Sequence, residues 1–273
     1  MSAFDQTGSM LTERLADELS VDVDSVIAQM ERFVHHEIKE AGFDKAVVAL
    51  SGGIDSAVVA TVAALAVGSE NVVAVMLPYK ASSPGSRDDA RDLIGRLGLE
   101  SLEIDITPMV DSFASMRPAA GALRMGNVMA RCRMIVAYDV SAEAGGLVVG
   151  TSNRTETLLG YGTLFGDAAW AINPIGDLYK TQLRQVAAEL DIPDAILTKP
   201  PSADLWVGQT DEEELGISYA DADMILYLLH DEERSPAEVK EMGVEGGAVD
   251  GIVARVAANA FKSRPARVAE LES

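Results

Sequence analysis

The sequence predicts an α/β protein, in which a doubly wound parallel sheet is flanked by helices, with further helices toward its N- and C-terminal ends. Short runs of β-branched apolar residues recur through the first 150 residues. Helical stretches separate these runs, and strands that alternate with helices form parallel sheets with right-handed crossovers. One run ends in a glycine-rich junction that leads directly into a helical stretch, which is a common arrangement where such sheets bind anions.

Each predicted strand is short and apolar. The run KAVVAL (45–50) is apolar on both faces, as expected of an interior parallel strand. The same pattern returns in NVVAVML (71–77), SLEIDI (101–106) and GLVVG (146–150). We therefore predict a strand at each of these four runs.

Helical periodicity precedes, separates and follows the strands. Residues 10–41 carry an interrupted apolar face that predicts one or two helices ending at Gly42. Further helices are predicted at 56–66, 86–97, 122–144, 178–190, 219–231, 235–241 and 248–262. No boundary or linker divides the chain, so we expect residues 1–273 to form a single domain.

Two segments lack periodicity. Residues 151–180 are rich in Gly, Thr and Asn and predict loops with one short helix, in the position where α/β sheets bind ligands. Residues 197–216 contain two consecutive prolines and an acidic cluster, and predict an ordered or ligand-ordered loop.

The chain is strongly acidic, with 43 acidic residues against 22 basic ones and a formal charge of −21. This balance argues against a nucleic-acid partner, which would require clustered Lys and Arg. The bases are 15 Arg and only 7 Lys, and the acids are scattered along the chain. That distribution resembles halophilic proteins of a salt-rich cytoplasm, although an ordinary acidic protein is the alternative.

The sequence contains no pattern of a membrane span or signal peptide, and it contains one cysteine. No window approaches the roughly eighteen apolar residues of a membrane span, and the N-terminus lacks the pattern of a signal peptide, so we expect a cytoplasmic protein without a membrane partner. Cys132 is the only cysteine, which excludes an internal disulfide and a multi-cysteine metal site.

The hexapeptide SGGIDS (51–56) joins the first strand to a helix. Glycines at 52 and 53 permit positive φ and close approach of phosphate oxygens, and the serines supply hydroxyl donors. Asp55 would repel a bare phosphate, whereas a Mg²⁺ ion between them removes the conflict. The Walker lysine is absent. A plain tight turn with Ser56 capping the helix is the alternative interpretation.

The hexapeptide resembles the pyrophosphate loop of the ATP pyrophosphatase superfamily, and further motifs resemble the NAD synthetase family within it. These motifs are GNVMARCRM (126–134), GTSNRTE (150–156), GYGTLFGD (160–167), NPIGDLYKTQ (173–182), KPPSADLW (199–206) and DEEELG (211–216). The resemblance covers most of the chain and implies a Rossmann-like sheet of the adenine nucleotide alpha hydrolase type.

The resemblance implies how the chain would hold ATP and Mg²⁺. The magnesium ligands would be Asp55 and Glu156, and Lys180 would stabilise charge on the leaving pyrophosphate, which makes Asp55 and Lys180 the expected catalytic residues. Without the motifs, Glu156 and Lys180 would pass for surface residues. The implied ATP-binding residues are Ala49, Leu50, Ser51, Gly52, Gly53, Ile54, Asp55, Ser56, Thr151, Lys180 and Ser202.

The family's second substrate is nicotinic acid adenine dinucleotide (deamido-NAD). Arg131, Asp167 and Lys262 match positions expected to contact it, although Arg131 alone would read as a surface residue. Leu164 and Ala171 replace a Lys and an Asp that many ammonia-dependent members use for this contact. We therefore transfer no contact to those two positions.

The implied reaction has two steps. The nicotinate carboxylate attacks the α-phosphorus of ATP and releases pyrophosphate, and ammonia then displaces AMP to give NAD. The chain is too short for a fused glutaminase, so ammonia would come from solution or from a separate glutaminase subunit. The resemblance also implies a homodimer.

Two alternatives remain open. Another enzyme with this loop would adenylylate a different carboxylate or a tRNA base, although tRNA-thiolating enzymes usually have more cysteines and a basic surface. A non-catalytic nucleotide-binding module would use the same sheet, but it leaves GTSNRTE and NPIGDLYKTQ unexplained.

Overall fold

The fold is a four-stranded parallel sheet with helices on both faces. The computed structural model describes residues 17–202, 210–264 and 268–269. Across the sheet the strands follow the order β3-β2-β1-β4. Their bounds are β1 Lys45–Ala49, β2 Val72–Met76, β3 Glu100–Glu103 and β4 Gly146–Val149. The predicted α/β fold is confirmed.

The two central strands are buried, as their apolar composition predicts. Val47 of β1 pairs with Val73 of β2 on one side and with Val148 of β4 on the other. Among the described strands β3 pairs with β2 alone, and its residues are exposed. The prediction that 101–106 resembles an interior strand was therefore wrong in burial and in length, because the paired segment is 100–103, which reads ESLE and is mostly polar.

The helices lie between and after the strands. Their bounds are α1 Val23–Glu40, α2 Ile54–Val67, α3 Pro84–Leu97, α4 Thr107–Met116, α5 Ala122–Ala144, α6 Arg154–Leu159, α7 Lys180–Glu189, α8 Asp194–Leu197, α9 Asp211–Leu215, α10 Tyr219–His230, α11 Pro236–Glu241 and α12 Gly246–Asn259. In the part of the chain that the structure describes, no helix combines the length and apolar character needed to cross a membrane.

Most predicted helices are present within a few residues of their expected ends. The prediction of 122–144 coincides with α5, and the predicted short helix after Gly150 is α6. Three helices of the described residues were not predicted, namely α4, α8 and α9. The acidic cluster at 211–216 was expected to be loop, but it forms α9, which has only five residues and is too short to show a periodic pattern. Residues 10–16 of the predicted N-terminal helices lie outside the described residues.

Alternate residues of β1 enter different cores. Ala46 and Val48 pack in one apolar cluster with Val34 and Ile38 of α1. Val47 points to the opposite face, into a second cluster that includes residues of α4 and α5. This alternation follows from the strand geometry, and it makes the sheet doubly wound. Cys132 belongs to the second cluster, where burial raises the pKa of its thiol, as expected of a packing residue.

The C-terminal helices form a third apolar cluster beside the sheet. Leu159 of α6, Ile225 of α10 and Ile252 of α12 are buried together there with Tyr179. The segments 154–159 and 179–180, which follow the sheet in sequence, are thus held against α10 and α12. This packing supports the polar residues that the same segments place at the edge of the sheet.

Candidate active site

A cleft of about 540 Å³ opens at the carboxyl ends of β1, β2 and β4. This edge is where parallel α/β sheets bind ligands. The cleft is lined by most of the residues that the sequence motifs single out, namely Ala49, Leu50, Ser51, Gly52, Gly53, Ile54, Asp55, Ser56, Thr151, Glu156, Asp167, Lys180 and Ser202. Residues from five motifs therefore share one cavity.

The loop between β1 and α2 is held by its own hydroxyl groups. The Ser51 N–H donates to Ser56 Oγ at 3.2 Å, the Gly53 N–H donates to Ser51 Oγ at 3.2 Å, and Ser56 Oγ donates to the Gly53 carbonyl at 3.0 Å. Gly52 has φ of 79°, which requires glycine. Gly53 has φ of −94° and precedes α2 as its N-cap, so the expectation of positive φ was wrong for this residue.

A second element presses against the loop at Gly52. A Cβ at this position would lie 2.1 Å from the carbonyl oxygen of Ser86 in α3. The Lys199 ammonium donates to the Gly52 carbonyl and to Ser86 Oγ, each at 3.2 Å, and pairs with Asp89. Glycine at 52 is therefore required by close packing as well as by backbone conformation.

One buried cation joins the two carboxylates that the motifs single out. Lys180 Nζ lies 2.5 Å from Asp55 Oδ2 and 3.4 Å from Glu156 Oε1. The Lys180 side chain is 2% exposed, so it is not the helix-surface residue that its sequence position alone would suggest. Asp55 lies in the first turn of α2 and Glu156 lies on α6, and the adjacent strands β1 and β4 bring them together.

Hydrogen bonds to the first turn of α7 fix the position of the Lys180 backbone. The Lys180 backbone N–H donates to Thr155 Oγ1 at 2.9 Å, and that hydroxyl donates to Asp223 Oδ1 at 2.5 Å. The Thr181 N–H donates to Asp223 Oδ2 at 2.8 Å. The carboxylate of Asp223, buried in α10, thus satisfies the N-terminus of α7, as a capping side chain would.

Burial and charge shift the titration of this cluster. Burial, and then the neighbouring negative charge of Asp55, raise the pKa of the Glu156 carboxyl to about 8 against the opposing effect of Lys180. For Lys180, burial alone would lower the pKa of the ammonium. The carboxylates of Asp55 and Glu156 outweigh burial and hold that pKa above its usual value, so Lys180 stays charged.

Two tyrosines extend the cluster toward a third acid, Asp211 at the start of α9. Tyr161 donates to Asp211 Oδ1 at 2.9 Å, and Tyr219 donates to Asp211 Oδ2 at 3.1 Å. The Lys180 ammonium also lies 5.1 Å from the centre of the Tyr219 ring. Burial raises the pKa of the Asp211 carboxyl. These contacts tie the acidic segment after residue 210 to the floor of the cleft.

The donor set suits a divalent cation that is completed by substrate oxygens. Asp55 and Glu156 already converge on a single cation, the Lys180 ammonium. Among the described residues, no group of three or more His, Cys, Asp or Glu side chains is arranged to hold a metal. Mg²⁺ is commonly held by one or two carboxylates together with phosphate oxygens and water, so this pair fits such an ion.

The remaining predicted residues surround the loop at 160–164. Arg131 lies outside the cleft lining, and its Nε and Nη2 donate to the Leu164 carbonyl at 3.3 and 3.2 Å. Lys262 donates to the carbonyls of Gly160 and Gly162 at 2.7 and 3.0 Å. Asp167 Oδ1 accepts from the Thr163 N–H at 2.7 Å. Arg131 and Lys262 therefore hold one loop from two directions.

Several residues at the site were missed by the sequence motifs as interpreted above. Asn153, followed three residues later by Glu156, matches the sequence pattern of a capping box, so it could have been identified. Asp223 gives no such signal, because only the packing of α10 brings it to α7. Other residues of the cleft that were not predicted are Arg133, Tyr161, Lys199 and Asp211.

The raised pKa of Glu156 predicts a pH-dependent stability in metal-free buffer. In the folded chain the Glu156 carboxyl keeps its proton up to about pH 8, whereas in the unfolded chain it releases the proton near its ordinary pKa of 4.5. Between these two pH values the folded state therefore binds more protons than the unfolded state. The unaltered chain therefore loses stability as pH rises through this window. We therefore compare the unfolding midpoints of Glu156→Gln and of the unaltered chain. The midpoint of the variant minus that of the unaltered chain should increase from pH 5 to pH 8.

The control for this measurement is Glu213→Gln, at an exposed position on α9. Its midpoint should track that of the unaltered chain at every pH. A Glu156→Gln difference that stays constant from pH 5 to pH 8 would show that the carboxyl titrates normally.

Comparison with known proteins gives consistent matches over nearly the whole chain. The family model described as NAD synthase matches residues 26–266. The chain is 50% identical over 241 residues to an NH(3)-dependent NAD(+) synthetase of Chlorobium phaeobacteroides, covering 88% of this chain and 87% of that protein. It is 48% identical over 255 residues to the Chlorobaculum tepidum protein of the same description, covering 93% and 92%.

Solved structures show the same fold. The NH3-dependent NAD synthetase from Campylobacter jejuni, in complex with the nitrate ion, has a TM-score of 0.79 and 32% identity, covering 92% of this chain and all of that one. The NMN synthetase from Francisella tularensis has a TM-score of 0.82 and 30% identity, with the same coverage of 92% and 100%. The fold is thus shared with one protein described as an NAD synthetase and with another described as an NMN synthetase.

Proposed function

This chain belongs to the NAD synthase family, and on that premise we propose that it makes NAD by ATP-dependent amidation of deamido-NAD with ammonia. The observation that carries the proposal is the convergence of Asp55, Glu156 and Lys180 beside the glycine loop of the cleft. A nucleotide-binding module without chemistry would have no need of a buried cation between two carboxylates. It is an arrangement suited to neutralising charge on a phosphate.

The first step forms a bond between the nicotinate carboxylate oxygen and the α-phosphorus of ATP and breaks the bond to pyrophosphate. The loop from Ala49 to Ser56 binds the phosphates, with Gly52 giving close backbone access. Lys180 stays protonated and stabilises negative charge that develops on the leaving pyrophosphate. Thr151 and Ser202, which line the same cleft, contact the nucleotide.

The second step forms the amide. Ammonia attacks the activated carbonyl carbon, and AMP leaves with the bonding electrons of the acyl–oxygen bond. No side-chain nucleophile is required, so the enzyme works by orienting reactants and by excluding water. The lone cysteine is consistent with this, because Cys132 is buried in the core formed with α5.

Mg²⁺ is part of the proposal, with Asp55 and Glu156 as its ligands. When bound, the ion would supply positive charge to the phosphates of ATP during the first step. The Lys180 ammonium contacts both carboxylates and so keeps a buried acidic pair tolerable.

The second substrate is proposed to bind along the loop at 160–164. Arg131, Asp167 and Lys262 hold this loop in place and would contact the dinucleotide. In the family such sites adjoin a subunit interface, and Leu123, Ile135 and Tyr138 on α5 are exposed apolar side chains that suit one. We therefore propose that the chain forms a homodimer. We also propose that the protein is cytoplasmic.

The experiment that tests the function is a product assay on the purified chain with ATP, Mg²⁺ and an ammonium salt. We expect NAD, AMP and pyrophosphate in equal amounts when deamido-NAD is present, and pyrophosphate release only when it is present. Ammonium should suffice, without an added glutaminase subunit. ATP binding without turnover would favour the nucleotide-binding module, and strict dependence on a glutaminase would exclude free ammonia as the source.

Substrate size is the second part of that assay, because the Francisella tularensis protein of similar fold is an NMN synthetase. Nicotinic acid mononucleotide should react far more slowly than the dinucleotide in this chain. Faster turnover of the mononucleotide would overturn the substrate assignment. Leu164 and Ala171 make this comparison informative, since many ammonia-dependent family members have charged residues there.

The acidic surface predicts that stability depends on salt. With a formal charge of −21, self-repulsion is strongest in dilute buffer and is screened by concentrated salt. We expect the unfolding midpoint to rise from dilute buffer to molar KCl. A midpoint that does not move over this range would contradict the proposal that the protein is halophilic.

A further inference from the structure

Asn153 stands between the two carboxylates of the site and bonds to both residues. Its side chain Nδ2 donates to Asp55 Oδ1 at 2.8 Å. Its Oδ1 accepts from the Glu156 backbone N–H at 3.0 Å, and its own backbone N–H donates to Glu156 Oε2 at 3.3 Å. The side chain is fully buried. One amide thus contacts two residues that are 101 positions apart in the sequence.

The helix cap dictates which way this amide points. Asn153 is the N-cap of α6, and its side-chain oxygen is used to accept from the Glu156 N–H three residues on. The nitrogen end is then forced toward Asp55. Asp, Ser and Asn cap helices about equally well, so capping by itself does not explain why the residue is Asn. Only the amide combines the acceptor for the cap with a donor that reaches Asp55.

The two oxygens of Asp55 consequently have separate partners. Oδ1 accepts from Asn153 and Oδ2 accepts from Lys180, at 2.8 and 2.5 Å. The Asn153 contact restrains rotation of the carboxylate, so that Oδ2 keeps facing the place where Glu156 also contacts the Lys180 ammonium. Without it, Oδ1 would lose its donor and the carboxylate would be free to rotate about the Lys180 contact.

We propose that Asn153 is a positioning residue, which orients Asp55 toward Glu156 so that both carboxylates bind one divalent cation. The inference rests on the proposed function, because it assigns Asn153 a part in the metal site of that reaction. Partners of this kind orient metal ligands, and their removal typically weakens metal binding or activity by about 10- to 100-fold.

The test compares Asn153→Ser with the unaltered chain. Serine retains the cap but is too short to reach Asp55, so the variant should fold with a somewhat lower unfolding midpoint, because a part-buried carboxylate oxygen loses its donor. Mn²⁺, titrated by calorimetry into chain saturated with α,β-methylene-ATP, should bind about tenfold more weakly to the variant. A dissociation constant within twofold of that of the unaltered chain would overturn the proposal. The matched control is Asp22→Ser at the N-cap of α1, which should leave Mn²⁺ binding unchanged.

A second variant tests the donor separately from the cap. Asn153→Asp retains both the cap and the side-chain shape, but it replaces the donor with a negative charge facing Asp55. We expect it to need about tenfold more Mg²⁺ for half-maximal activity, and an unchanged Mg²⁺ requirement would show that the residue serves only as a cap.

The two levels of the proposal fail in distinguishable ways. If the unaltered chain binds Mn²⁺ with the analogue but makes no NAD, the proposed function fails, while the Mn²⁺ comparison still decides the role of Asn153. If the unaltered chain binds no Mn²⁺, the metal site itself is wrong, and the inference falls with it.

Discussion

Lys180→Met is expected to lower kcat of NAD formation by about 10²- to 10³-fold, the loss found when a single charge-stabilising donor is removed from a reaction centre. Methionine has nearly the length of lysine but cannot neutralise Asp55 or the departing pyrophosphate. Because Lys180 contacts Asp55 at 2.5 Å from a buried position, the substitution also leaves two buried acids without their cation. Breaking a buried pair in this way costs about 3–5 kcal/mol of stability.

Two further measurements sharpen this prediction. Mg²⁺ should restore part of the lost stability in Lys180→Met, because a ligand that binds the folded state stabilises it by mass action. The control is Lys39→Met, which removes an exposed lysine paired with Asp44 and should leave rate and midpoint near those of the unaltered chain. If Lys180→Met retained a rate within threefold, the proposed role of Lys180 would be wrong.

Gly52→Ala is expected to be the most destabilising small substitution in the loop between β1 and α2. The new Cβ would lie 2.1 Å from the Ser86 carbonyl oxygen, and alanine is strained at the φ of 79°. Strain in the left-handed region costs about 1–2 kcal/mol, and overpacking costs about 1–3 kcal/mol, so denaturant unfolding should report a loss of roughly 2–5 kcal/mol. NAD formation should fall as well, since the loop must shift away from α3.

The matched control is Gly53→Ala, the neighbouring glycine of the same loop. Its φ of −94° suits alanine, and the nearest atom to a new Cβ is Ser51 Oγ at 3.3 Å. The expected cost is about 1 kcal/mol, because alanine is a poorer N-cap than glycine. Equal losses for the two variants would show that the contact with Ser86 does not constrain the loop.

Local patterns were sufficient for most of the secondary structure. The long periodic stretch at 122–144 and the apolar runs of β1 and β2 are strong signals, because they extend over several residues and reflect burial on known faces. The edge strand β3 and the five-residue helix α9 were misjudged for complementary reasons. The strand β3 reads ESLE, in which Leu102 is the one apolar residue, so its signal is weak, and a single helical turn is too short to repeat a pattern.

The principal residues of the candidate site were predictable from the sequence, whereas their contacts with one another were not. Asp55, Glu156 and Lys180 belong to recognisable motifs, so their involvement was predicted, and the cleft places them together. Their mutual geometry was not predictable, because a motif does not say which residue contacts which. The fixed orientation of Asn153 and the capping of α7 by Asp223 emerged only once α6, α7 and α10 were packed together.

The sequence by itself determined the fold class and the family, and it predicted the glycine loop and the principal residues of the candidate site. These properties depend on short contiguous segments, because backbone preference and side-chain type act over a few residues. The tertiary structure alone decided that Lys180 is buried between two acids, that Gly52 rather than Gly53 requires glycine for its conformation, and that Arg131 holds the Leu164 loop. Those features depend on distances between residues far apart in the chain, which are set only when apolar faces pack and exclude water.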